Sequence, residues 1–153
     1  MTYARSLMQV LLGIAVLAFS LNAFGQSSTP DELHTPAKGS AERKAILDAV
    51  RDAYKEGADH PAEFKVNYLK VHNGWAWINV TPLDANGKPV ADPAPLLFNN
   101  DNGKWMMKDW NDVPTDPDDQ VGPHDPSPQF IKALQKKFPG IPVDIIPKRH
   151  KGD

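Results

Sequence analysis

The sequence predicts an α+β domain in which an amphipathic helix packs on an antiparallel sheet of about four strands, with a second short helix and a docked C-terminal tail. Three patterns predict it. Apolar residues recur at helical spacing between Ser40 and Gly57. From Glu63 the period changes to two, and a second helical stripe begins at Ser127.

In chain order, "MTYARSLMQVLLGIAVLAFSLNAFGQ" has the form of an export signal. Arg5 is its only charge, an apolar run follows from Leu7 to Leu21, and Ala23 and Gly25 supply small residues before a cleavage point. The expected division is a signal peptide over 1–25, a flexible leader over 26–39 and a single α+β domain over 40–153. A retained membrane anchor is the competing reading. Gln9, Ser20 and Asn22 interrupt the run, which falls short of the roughly 20 apolar residues a span needs.

The first helix follows. Ser40 is an N-cap, Glu42 suits the positive end of the helix dipole, and Gly57 suits a left-handed stop. Ile46, Leu47, Val50, Ala53 and Tyr54 form its apolar stripe. The strands "EFKVNYLKV" and "WAWINVTPL" flank Asn73-Gly74, which favours a two-residue hairpin turn. That register sets His72 opposite Trp75, Lys70 opposite Trp77, Tyr68 opposite Asn79 and Val66 opposite Thr81. One face is then aliphatic, with Leu69, Val71, Ala76, Ile78 and Val80. The other carries Phe64, Val66, Tyr68, Lys70, His72, Trp75, Trp77, Asn79 and Thr81.

A further strand is expected around Leu96 to Phe98, then a turn at Asn100 to Gly103. The next strand groups Trp105, Met107 and Asp109 on one face, with Met106, Lys108 and Trp110 opposite. The stretch over 111–126 is an acidic, proline-rich loop. Ser127 caps the second helix, with Pro128 in its first turn. Ile141, Val143, Ile145 and Ile146 are expected to dock on the sheet.

The chain has 17 Lys and Arg against 19 Asp and Glu, and no cysteine. A mildly acidic balance gives no electrostatic reason to expect nucleic acid. Without cysteine there are no disulfides, thiolate metal sites or cysteine-linked lipid. There is no nucleophile elbow, no zinc spacing among the five histidines, and no cofactor is expected. Asp116 and Asp118 open like a calcium loop, but glycine is missing at the sixth position and glutamate at the twelfth. Asp109 is the one acid whose neighbours could raise its pKa by desolvation. The candidate binding residues are Tyr68, Lys70, His72, Trp75 and Trp77 on the aromatic face, with Asp109, Asp116 and Asp118.

The run "GSAERKAILDAVRDAY…FKVNYLKVHNGWAWINVTPLD…GKWMMKDW", from Gly39 to Trp110, resembles a group of small exported bacterial proteins of uncharacterised function. Their arrangement is similar to the cystatin-like and nuclear-transport-factor-like superfold. The resemblance implies a curved antiparallel sheet on a helix, and it carries no catalytic residue across to this chain. The expected function is a non-enzymatic, periplasmic or secreted binding protein, an inhibitor or immunity factor being one form of it. Its expected partner is a cell-envelope protein, with no membrane attachment after signal cleavage. One alternative is a small-molecule binder or enzyme with a helix–sheet cavity lined by Tyr54, Trp105 and Met107, Asp109 serving as base. A calcium-stabilised envelope protein is another.

Overall fold

The computed structural model describes residues 32–55, 61, 63–114 and 126–148. The expected signal peptide, Asp116 and Asp118 lie outside the described residues. The fold is α+β: α1 (Ala41–Tyr54), β1 (Glu63–His72), β2 (Trp75–Leu83), β3 (Ala94–Asp101), β4 (Lys104–Met107) and α2 (Pro128–Lys137). A 3₁₀ turn at Val143–Ile145 follows. The strands form one antiparallel meander in the order β1-β2-β3-β4.

Local chemistry sets the element ends. The Ser40 hydroxyl accepts the Arg43 N–H at 3.2 Å, and the Ser127 hydroxyl accepts the Phe130 N–H at 3.0 Å. Two of the domain's serines are thereby helix caps. Between β1 and β2, Asn73 and Gly74 have φ of 47° and 72°, the conformation a two-residue hairpin demands. The Gly74 carbonyl accepts bonds from the Asn100 N–H at 2.7 Å and the Asn99 side-chain amide at 3.1 Å. The third strand therefore holds the first turn in place.

The register from that turn runs His72↔Trp75, Lys70↔Trp77 and Tyr68↔Asn79, and then slips. Val66 pairs with Val80, where simple alternation expects Thr81. Asn67 is the extra residue of a β-bulge, and its amide donates to Asn79 Oδ1 at 2.9 Å and Thr81 Oγ1 at 2.8 Å. The bulge gives the buried Thr81 hydroxyl a partner. It also turns Phe64 and Val66 away from the aromatic face and onto the aliphatic one. Their expected placement beside Tyr68 is thus corrected.

Each sheet face has its own core. On one side Ile46 and Val50 of α1 pack with Leu69, Val71, Ala76, Ile78, Val80, Phe98 and Trp105. On the other, Phe130 and Leu134 of α2 join Trp77, Leu97, Val113, Ile141, Ile145 and Ile146. Fully burying one such side chain contributes about 1.5–3 kcal/mol, so neither helix is held by its own propensity alone. β3 tolerates Pro95 because β4 pairs only with Phe98 to Asp101, leaving no described strand on its outer side at that point. Within the stretch read as a leader, His34 makes an antiparallel bridge to Val71, with both backbone bonds at 2.9 Å.

A Cβ at Gly74 would meet only Asn100, at 3.9 Å, so space is not what requires glycine. Gly74→Ala should therefore cost about 1–2 kcal/mol through the positive φ alone. Urea denaturation is expected to give a lower midpoint with an unchanged slope.

Candidate functional site

The structure brings Tyr68, Lys70, His72, Trp75 and Trp77 onto one face, as their register requires, but α2 and the tail cover that face. Trp77 is fully buried. Its ring meets Trp110 edge-on at 5.2 Å, and Trp110 meets Phe130 in the same way at 5.5 Å. Trp75 packs on Phe138 at 6.0 Å. Lys70 lies opposite Trp77 as the register requires, but the aromatic contacts of Trp77 are with this chain of rings, and the described cation–π contact is Lys137 over Phe138. Trp77 is consequently a packing residue and cannot be touched by a partner.

Polar atoms on this face fasten the tail. The Tyr68 hydroxyl donates to the Ile145 carbonyl at 3.0 Å, and His72 Nδ1 lies 2.9 Å from both carboxylate oxygens of Asp144. Burial, then the negative Asp144, pushes the Tyr68 phenol above its ordinary value, so it stays a donor. These side chains close the second layer over the sheet.

Asp109 also changes role. β4 stops at Met107, and Asp109 is exposed, its carboxylate accepting the Asn111 N–H at 3.0 Å in a turn. It faces solvent at a turn rather than lying beside Trp105 and Met107 on a strand, the placement expected from the sequence. The proposed helix–sheet cavity is filled by Ile46, Val50, Phe98 and Trp105, each at most 5 % exposed. Tyr54 packs on Phe64 at 4.9 Å and borders one surface hollow, while Trp105 and Met107 border another. Among the described residues no three His, Asp or Glu side chains group to hold a metal.

Two features were not anticipated from the sequence. The first is His34, whose Nδ1 faces the Glu32 carbonyl at 2.9 Å and whose Nε2 faces the Glu42 carboxylate at 2.8 Å. Both partners are acceptors, which suits an imidazolium donating from both nitrogens. Burial alone would lower its pKa, but the Glu42 and Glu32 interactions outweigh that and raise it.

The second feature is the β4 edge. Met106 and Met107 are 42 % and 48 % exposed, side by side on the last strand of the sheet. A groove of about 270 Å³ lies between β4 and α1, bordered by Ala49, Asp52, Ala53, Lys104, Trp105 and the two methionines. The adjacent methionines were visible in "KWMMKDW", but neither their exposure nor the place of their strand at the sheet edge was.

Comparison of the chain with known protein families, curated proteins and solved structures returns no match. No helix of the described residues is long and apolar enough to cross a membrane.

Two outcomes follow from this geometry. Trp77→Ala should destabilise the fold by about 3–5 kcal/mol in urea denaturation, the cost of emptying a packed aromatic site. His34 has a folded pKa above its ordinary 6.5, so its contribution to stability is complete below that value and is lost as pH rises through the raised one. Melting curves between about pH 6 and pH 8 should show the unaltered protein losing stability relative to His34→Gln. Parallel curves would exclude the pairing.

Proposed function

We propose that the protein is an exported, non-enzymatic binding protein of the bacterial cell envelope, of the inhibitor or immunity-factor kind, and that it meets its partner at the β4 edge. Exposed Met106 and Met107 on an outer strand carry this reading. A sheet edge flanked by large apolar side chains can pair with another chain, and the shortness of β4 with Lys104 and Lys108 beside it disfavours indiscriminate edge pairing rather than a partner of complementary charge. Methionine suits contact surfaces because its flexible, polarisable side chain adapts to varied shapes.

Export rests on the succession of signal features in the sequence of residues 1–25. The helix-then-meander order of α1 and the four strands supports grouping the chain with the cystatin-like and nuclear-transport-factor-like arrangements, with a curved sheet beneath α1.

Two measurements test the reading. The protein recovered from the periplasm or medium of its host should have a mass and N-terminus starting at Gln26. A photo-cross-linking residue at Met107, in intact cells, should give discrete adducts that the same residue at exposed Lys88 does not. A mature chain retaining Met1, or equal labelling from both positions, contradicts the proposal.

A further inference from the structure

We propose that β4 accepts an extended peptide strand whose residues run acidic, apolar, apolar, apolar, acidic, added antiparallel to the sheet edge. This rests on the edge-binding reading above and names the partner's chemistry.

The backbone supplies half of the argument. The Lys108 N–H bonds to the Leu97 carbonyl at 2.8 Å, and the β3–β4 register places Met106 opposite Asn99 and Lys104 opposite Asp101. In an antiparallel ladder the bonded residues alternate. Lys104, Met106 and Lys108 therefore turn their backbone groups towards β3, while Trp105 and Met107 turn theirs outward. The outer edge offers two donor–acceptor pairs, spaced to receive a strand.

Side chains supply the rest. Alternation sets Lys104, Met106 and Lys108 on one face and Trp105 and Met107 on the other, beside α1. Neither Lys104 nor Lys108 has an acidic partner within ion-pair distance among the described residues. Asp101, opposite Lys104, instead accepts the Asn102 side-chain amide at 2.8 Å. An incoming strand would meet two ammonium groups, without an ion-pair partner among the described residues, flanking a methionine, which calls for carboxylates flanking an apolar residue. On the α1 face, residues opposite Trp105 and Met107 would enter the groove that small Ala49 and Ala53 leave open. Asp52 at the groove wall is already paired with Lys55 at 2.5 Å, so it adds little repulsion.

A second copy of the chain fits this edge less well. The two-fold register with most overlap, centred on Met106, sets Lys104 of each copy against Lys108 of the other, and like charges directly opposed are unfavourable. The other edge of the sheet is partly occupied, since His34 already bridges Val71 of β1.

The test uses the full chain and a fluorescent peptide, Thr-Glu-Val-Val-Val-Glu-Thr. Saturable binding is expected, with slowed amide exchange at Trp105 and Met107. A peptide with lysine in place of glutamate should bind about tenfold more weakly. The double variant Lys104→Glu, Lys108→Glu should reverse that preference. Methylating the peptide backbone nitrogens that face β4 should abolish binding to the unaltered protein, a control that needs no folded variant. Failure to bind, binding insensitive to charge reversal or methylation, or concentration-dependent dimerisation through β4 would each overturn the inference. Discrete cross-links from Met107 alongside such a failure would leave the broader edge-binding reading standing.

Discussion

The pairing of β1 with β2 is the constraint from which the rest of the fold follows. Asn73 and Gly74 take the two positive φ angles that close a two-residue loop, and the loop fixes which side chains oppose which. A one-residue error there would exchange the aliphatic and aromatic faces. With the register fixed, Ala76, Ile78 and Val80 lie beneath α1, and Trp75 and Trp77 beneath α2 and the tail. The β3 asparagines that bond to Gly74 tie the next strand to the same decision.

Much of this was legible in the residues. Helical periodicity, Ser40, Ser127 and the Asn-Gly pairs at 73–74, 86–87 and 102–103 mark the elements and their order. The bulge was also legible, although strict alternation overlooks it. Phe64, Val66, Leu69 and Val71 step by two, three and two, and the step of three is where Asn67 is inserted. What local pattern could not convey was which surfaces remain uncovered. An aromatic face reads the same whether solvent or a second layer lies over it. Trp110, Phe130 and Ile145 decide the matter from far along the chain. The same limit hid the His34–Glu42 pair, which forms only when the segment before α1 docks beside β1.

These corrections move the functional argument from the middle of the sheet to its margin. The residues most suggestive of a ligand, Trp75 and Trp77 with Tyr68 and His72, are spent on internal packing and on fastening the tail. Asp109 is a turn residue. The two edges of the sheet are unequal: one is bridged by His34, while the other carries Met106 and Met107 and outward-facing backbone groups. Among the described residues both faces of the sheet are covered and no further strand pairs with β4, and an edge of that kind is where association through the backbone can occur.

The account depends most directly on the phase change at Asn67. Proton NMR distance contacts from assigned side chains would test it. The account predicts that Phe64 contacts Tyr54 of α1, while Tyr68, four residues along the same strand, contacts Ile145 on the opposite side of the sheet. Contacts placing Phe64 and Tyr68 against the same layer would contradict it, since the two cores and the open edge could not then be arranged as described.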